Sequence, residues 1–174
     1  MKYVRASEWA VLAGALGILA TLWQQWFSYA VTLEMFPPRE LTITVTGWHG
    51  LGWLMVTMLI ITAVIGISLF LTFAIGAGDA ATLPFGATLG AVAIPTSIAL
   101  LLVLLSRPGL GVDLPASEVG LEPSGWIGAA STVLLTAGSL VSIRSERTDG
   151  RSRAYSPPPP RPAPPGEGPG TAAA

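Results

Sequence analysis

The sequence predicts an all-α membrane protein: a four-transmembrane-helix bundle with a small extracytoplasmic β-hairpin cap and a disordered tail. The first observation is composition, because 51% of the 174 residues are hydrophobic and only 11% are charged, whereas a soluble domain carries about 25% charge. The second is a set of four apolar stretches, each close to the roughly 20 residues that a bilayer-spanning helix needs. The third is an abrupt change to arginine, proline and glycine near the C-terminus.

The first span is predicted over residues 9–27, which contain no charged side chain. Because Lys2 and Arg5 precede this apolar run, a cleaved signal peptide is the alternative interpretation, with small residues at 28–30 as its cleavage site. The bulky aromatic and amide side chains at 23–27 do not suit the approach to a cleavage site. The pattern therefore favours a retained span.

Residues 28–50 form the first predicted outer loop, and an alternating pattern within it predicts a strand. Three apolar residues alternate with three threonines, placing Leu41, Ile43 and Val45 on one face and Thr42, Thr44 and Thr46 on the other. This alternation is typical of a half-buried strand. The prolines at 37–38 separate it from earlier residues that can also extend, so a β-hairpin is predicted. Two strands alone are marginal, and we expect residues 111–119 to add a third and the apolar face to pack on that second loop.

The second span is predicted over residues 51–75 and the third over 85–105. Residues 106–124 form the second outer loop, and the fourth span, at 125–143, is rich in alanine, glycine, serine and threonine. Pro95 lies in the middle of the third span. Because proline has no backbone N–H, it frees a carbonyl one turn earlier and predicts a kink.

Tryptophans mark the predicted span ends, because their rings prefer the headgroup layer of a membrane. Five lie near the outer ends, namely Trp23, Trp26, Trp48, Trp53 and Trp126. The only histidine, His49, lies among them. A metal site or a catalytic role would require further ligands or a partner group at a recognisable spacing, and the sequence has neither. We interpret His49 as an interfacial residue and predict no catalytic, cofactor-binding or metal-binding residue.

The predicted spans contain no Asp, Glu, Lys, Arg or His, the side chains that transporters place within the membrane. Their serines and threonines predict hydrogen bonds between helices. Two pairs of small residues, Ala13 with Gly17 and Gly86 with Gly90, predict close helix packing. These patterns indicate a structural bundle, with the Pro95 kink as the feature that would favour a binding cavity.

Residues 144–174 follow the transmembrane domain, which covers 1–143. They begin with arginines and continue into a proline-rich segment at 157–165, a composition that predicts a disordered tail with polyproline II character. Such segments can dock on aromatic-lined domains, so a cytoplasmic partner for the tail is the alternative to a solvated tail without one. The net charge of −1 provides no basic footprint for nucleic acid, and the absence of cysteine excludes disulfides and thiolate metal sites.

Together these features resemble the small four-span hypothetical membrane proteins common in actinobacteria. The resemblance is carried by anchoring aromatics and turns, namely Trp26-Phe27-Ser28, Gly47-Trp48, Arg107-Pro108 and Gly125-Trp126, and by the proline-rich end. It implies no established activity and no functional residue. In architecture alone the chain also resembles claudin-type four-span proteins, although the cysteine pair of that family is absent.

We therefore expect a non-enzymatic structural or interaction protein of the cell-envelope membrane. Its partners would be the lipid bilayer and another membrane protein, contacted through the spans or the outer loops. The alternative is a small transporter or channel subunit that uses the Pro95 kink.

The distribution of positive charge predicts the orientation, because lysine and arginine are retained on the cytoplasmic side. Seven of the nine positive residues lie at the two ends of the chain, namely Lys2, Arg5, Arg144, Arg147, Arg151, Arg153 and Arg161. The other two, Arg39 and Arg107, lie in the predicted outer loops. With four spans, both termini are predicted to be cytoplasmic.

Reporter fusions at residues 174 and 38 test this orientation. The fusion at residue 174 is expected to report the cytoplasm and the fusion at residue 38 the opposite side, because the predicted first span separates them. A cytoplasmic signal from residue 38 would contradict the orientation.

Overall fold

The computed structural model describes residues 5–33, 39–75, 79–107 and 119–153. This part of the chain is mostly helical, with a small sheet at one end. In chain order the elements are α1 (Ala6–Leu22), β1 (Gln25–Leu33), β2 (Arg39–Thr46), α2 (Gly47–Gly50), α3 (Gly52–Ile75), α4 (Asp79–Ser106), β3 (Gly120–Leu121) and α5 (Pro123–Arg153).

Three of the described helices are long and apolar enough to cross a membrane. They are α3 over its whole length, α4 from Phe85 to Ser106, and α5 from Pro123 to Arg144. These segments overlap the second, third and fourth predicted spans. Membrane-length apolar helices are thus a property of the fold.

The first predicted span, 9–27, is not one continuous helix. The helix α1 ends at Leu22, and the strand β1 begins at Gln25. With 17 residues, α1 is about 25 Å long at the usual helical rise, compared with a hydrocarbon thickness of about 30 Å. The prediction extended too far because aromatic residues such as Trp26 suit a membrane span, an interface and a strand equally well.

The four long helices form an antiparallel bundle in which α1 contacts α5 and α3, and α4 contacts the same two helices. Glycines set the closest approach, between α1 and α5. A Cβ atom at Gly14 would come within 2.6 Å of the Ser131 backbone oxygen, so no larger residue fits there. Of the predicted Ala13 and Gly17 pair, Gly17 lies against Ser131 whereas Ala13 is exposed. Gly14 takes the place that was predicted for Ala13.

Hydroxyl groups connect the helices inside the bundle, as the sequence predicted. The Thr62 hydroxyl of α3 lies 3.4 Å from that of Thr96 on α4, and Ser97 on α4 lies 2.7 Å from Thr136 on α5. Within the described residues, every buried side-chain nitrogen or oxygen has a hydrogen-bond partner. An unsatisfied polar group in an apolar interior is costly, and the described interior avoids that cost.

The sheet at the end of the bundle confirms the predicted hairpin and places its third strand differently. The strand order is β2-β1-β3, with both pairings antiparallel. The third strand was predicted within 111–119, but it consists of Gly120 and Leu121, which pair with Ser28 and Phe27. Val119 lies before the strand, and residues 111–118 fall outside the described part of the chain.

Trp26 is a core residue and not the interfacial anchor that the sequence predicted. It lies at an irregularity in β1, where the pairing with β2 shifts between Gln25 and Phe27, which is the position of a β-bulge. Its side chain is fully buried, and its indole N–H donates to the Thr21 carbonyl at 2.6 Å. The ring lies directly against Gly128 of α5. The bulge thus turns Trp26 inward, beneath the sheet.

The last helix extends further than the predicted fourth span. Residues 144–174 were predicted to be disordered, whereas α5 continues to Arg153. Arginine and glutamate have good helix propensity, so a helix does not need to end where its apolar segment ends. The proline-rich segment at 157–165 lies outside the described residues.

Replacement of Trp26 by alanine should destabilise the protein by about 3–5 kcal/mol, the usual cost of removing a buried tryptophan. The expected result is a lower thermal unfolding temperature of the detergent-purified protein. Trp126→Ala is the matched control, because Trp126 is 58% exposed. Equal unfolding temperatures for the two variants would show that the buried ring does not hold the sheet on the bundle.

Candidate functional site

His49 makes a local hydrogen bond at the end of the sheet. It lies in the short helix α2, is exposed, and places its Nδ1 atom 3.0 Å from the Thr46 hydroxyl. Within the described ranges, no group of three or more His, Asp or Glu residues is placed to hold a metal ion. The contact with Thr46 gives His49 a structural partner beside the junction of sheet and helix.

Exposed aromatic rings surround the sheet end of the bundle. The rings of Trp23 and Trp48 stack with their centroids 5.1 Å apart, and Trp23 is 71% exposed. Trp53 and Trp126, at the starts of α3 and α5, are also exposed. At the opposite end, Trp9 meets Phe70 edge to face. Exposed tryptophans at both ends of apolar helices are typical of the two membrane interfaces.

The apolar face of β2 is covered at its base and open toward its tip. Val45 packs against the buried core, and Ile43 is half-buried. Leu41 is 49% exposed. The predicted alternation is therefore present, but the bundle supports only the part of the face that lies nearest to it. The expected packing on the second loop falls largely outside the described part, which lacks 108–118.

Backbone hydrogen bonds fasten the sheet to the helices next to it. The Gly47 N–H donates to the Gln24 carbonyl at 3.1 Å, and the Glu122 N–H donates to the Trp26 carbonyl at 2.9 Å. The Ser124 hydroxyl, at the start of α5, donates to the Gln25 carbonyl. The sheet is consequently tied to α2 and α5 and does not stand on a flexible hairpin.

A groove of about 690 Å³ lies between α3 and α4, in the half of the bundle next to the sheet. Its α3 side includes Trp53 and Met58, and its α4 side includes Pro95 and Thr96. The helix α4 runs without interruption through Pro95. The Thr96 hydroxyl, which belongs to the lining, donates to the Val92 carbonyl at 2.7 Å. The other side chains of the lining are essentially apolar.

The sequence analysis did not identify the partner of one hydroxyl residue, Thr136, or the burial of one acidic residue, Glu8. Thr136 connects α5 to α4, but a lone threonine in an apolar run gives no signal of its partner. Glu8 lies within α1 and is only 2% exposed, although the first span was predicted to begin after it. Its Oε2 accepts the Arg5 backbone N–H at 2.6 Å. A carboxylate in the first helical turn also interacts favourably with the helix dipole.

No protein-family model matches the chain, and no curated protein matches its sequence. The fold alone defines the class, which is a helical protein with three membrane-length apolar helices and a small sheet at one end of the bundle. The candidate sites are two surfaces of this fold. One is the open part of β2, and the other is the groove between α3 and α4.

His49→Ala should change the free energy of unfolding by no more than about 0.5 kcal/mol, because His49 is exposed and makes only a local contact. A joint Trp48→Ala and Trp53→Ala variant should lower both expression and thermal stability, since it removes two of the exposed aromatic rings at the sheet end of the bundle. Thermal unfolding of the purified variants measures both effects. A bound metal or an activity that is lost with His49 alone would contradict the structural interpretation.

Val45→Asp should disrupt the sheet, because it places a carboxylate against the buried core at a cost of roughly 2 kcal/mol or more. Thr44→Asp is the matched control, since Thr44 is the exposed neighbour in the same strand. Amide hydrogen exchange over residues 25–46 measures the effect. Equal protection in both variants, or fast exchange of this segment in the unaltered protein, would show that the sheet is not a stable cap.

Proposed function

We propose that the chain is an integral protein of the cell-envelope membrane with four spans. In this proposal α1 crosses the membrane in addition to α3, α4 and α5. The antiparallel packing of α1 on α5 supports this arrangement, because it places Arg5 and Arg144 at the same end of the bundle, away from the sheet. Both termini are then cytoplasmic and the sheet faces the other side, in keeping with retention of positive charge in the cytoplasm.

The proposed function is non-enzymatic: a structural or interaction protein that contacts another membrane protein through the sheet. The observation that carries this proposal is the open part of β2, an outer strand of the described sheet whose Leu41 is 49% exposed. An outer strand presents backbone groups that can pair with a strand of a partner. An apolar side chain beside such an edge adds contact area to that pairing.

The described interior supports an interaction role over transport. The Thr62 hydroxyl bonds to the Thr96 hydroxyl on the neighbouring helix. The hydroxyls of Thr62, Thr96 and Thr136 also each donate to a carbonyl of their own helix. A transport path needs polar groups directed at a water-filled space. A small transporter or channel subunit remains the second candidate, and the observation that favours it is the groove beside Pro95.

The proline-rich segment at 157–165 belongs to this proposal as a second point of contact. Its composition suits docking in polyproline II form on an aromatic-lined cytoplasmic domain. A partner of the sheet and a partner of this segment would bind on opposite sides of the membrane.

A photo-reactive amino acid at position 41 tests the proposal in intact cells. We expect irradiation to give one discrete cross-linked species from position 41 and none from position 133, since Val133 lies on the exposed apolar side of α5. The cross-linked species identifies the partner protein. Leu41→Asp in an otherwise unaltered chain should weaken co-purification of that partner without cross-linking. Identical cross-linking from both positions would overturn recognition through the sheet, and transport of a solute by vesicles containing only this chain would favour the second candidate.

A further inference from the structure

A polar cavity of about 450 Å³ lies at the sheet end of the bundle, between the start of β1 and the start of α5. Gln24 and Gln25 form one wall, where the chain passes from α1 into β1. Glu122 and Ser124 belong to the other wall, at the start of α5. The volume is within the range of about 300–1,000 Å³ that is usual for small-molecule sites.

Hydrogen bonds between the two walls hold the cavity in shape. The Ser124 hydroxyl donates to the Gln25 carbonyl, and the Glu122 N–H donates to the Trp26 carbonyl at 2.9 Å. The Glu122 carbonyl in turn accepts the Gly125 N–H at 3.0 Å. The backbone of both walls is therefore fixed before any ligand arrives. A site that is already ordered loses less conformational freedom on binding.

Three polar side chains of the cavity are available to a ligand. Within the described part of the chain, the side chains of Gln24, Gln25 and Glu122 have no hydrogen-bond or ion-pair partner. The two glutamines are exposed and Glu122 is half-buried. Among the described lining residues, Glu122 is the one that carries a charge. A carboxylate held partly away from water interacts more strongly with an opposite charge than a fully exposed one does.

The chemistry of these groups favours a small cation that donates hydrogen bonds. An anion would be repelled by Glu122, and a neutral ligand would leave the carboxylate without a counter-charge. A calcium ion takes about six to eight oxygen ligands, and the described lining has a single carboxylate. A primary ammonium group has three N–H donors. The Glu122 carboxylate and the amide oxygens of Gln24 and Gln25 match them in number.

The position of the cavity indicates where that ammonium group comes from. Trp23 precedes Gln24, Trp126 lies in the first turn of α5, and both tryptophans are exposed. Exposed tryptophans next to apolar helices lie at the headgroup depth of a membrane. The ammonium groups of aminophospholipids lie at the same depth, where they are far more concentrated than a dissolved amine.

We propose that this cavity binds the primary ammonium group of a phospholipid headgroup, paired with Glu122 and hydrogen-bonded to the amide oxygens of Gln24 and Gln25. The acyl chains of the bound lipid remain in the surrounding leaflet. The inference depends on the position of the sheet end at a membrane interface and not on the protein partner proposed for β2.

Native mass spectrometry of the full chain tests the proposal, with phosphatidylethanolamine and phosphatidylcholine of identical acyl chains supplied in equal amounts. The two lipids differ only in the three methyl groups that replace the N–H donors. We expect phosphatidylethanolamine to be retained about fivefold more, the size expected for one net hydrogen bond. Equal retention of the two lipids by the unaltered chain would overturn the proposal.

Glu122→Gln should abolish the preference, because it keeps the size of the side chain and removes its charge. Glu40→Gln is the matched control, since Glu40 is an exposed acidic residue of the same sheet that does not line the cavity. Gln24→Leu removes one amide acceptor and should lower the preference, and it serves if Glu122→Gln unfolds at a lower temperature than the control. An unchanged preference in both cavity variants, or an equal loss in Glu40→Gln, would overturn the assignment.

An excess of free ethanolamine distinguishes a lipid from a dissolved amine. A preference that persists supports the lipid headgroup, because the acyl chains keep the headgroup beside the cavity. Loss of the preference would overturn the lipid assignment in favour of a soluble amine. Co-purification of a second protein that Glu122→Gln alone abolishes would also overturn it, in favour of a lysine side chain of a partner.

Discussion

The Trp26 indole holds the two parts of this fold together, because it lies where the helix bundle ends and the sheet begins. Its N–H donates to the Thr21 carbonyl near the end of α1, and its ring lies against Gly128 of α5 and Gly47 of α2. The Thr21 carbonyl also accepts the Gln24 N–H at 2.9 Å, so the indole adds a further donor at the end of α1 while it fills an apolar space. Three helices and the central strand therefore meet at one side chain. A hairpin of two strands would be marginal without this attachment.

The parts of the fold that depend on local chemistry could be predicted from the sequence. A membrane-spanning helix requires length and apolar composition, which are properties of a single segment, so the prediction of 51–75 differs from Gly52–Ile75 by only one residue. The end of α1 depends on distant partners instead. Residues 23–27 are equally compatible with a span and with a strand, and what decides between them is the space for an indole beside two glycines that are far away in the sequence. No local pattern contains that information.

The same distinction explains the sheet. Alternation predicted the strand β2, because a period of two is a local property. It could not predict how much of the apolar face would be covered, and coverage extends to Val45 but not to Leu41. The position of the third strand follows from the bulge at Trp26, whose carbonyl accepts the Glu122 N–H. That bond brings the residues immediately before α5 beside β1, and so the strand forms at Gly120 and not earlier in the loop.

Pro95 shows how a proline is accommodated within a long apolar helix. The sequence predicted a kink, because proline removes the donor that the Ala91 carbonyl would otherwise receive. The structure has an uninterrupted α4 in which the adjacent Thr96 hydroxyl bonds to the neighbouring Val92 carbonyl. Proline is tolerated within membrane helices where such hydroxyls satisfy nearby backbone groups. Its ring then acts through shape, since together with Ala99 it leaves the side of the helix concave. The buried hydroxyls of the described residues are hydrogen-bonded inside the bundle, and the concave surface lies between α3 and α4. This combination supports the proposed interaction role over passage of a solute through the bundle interior.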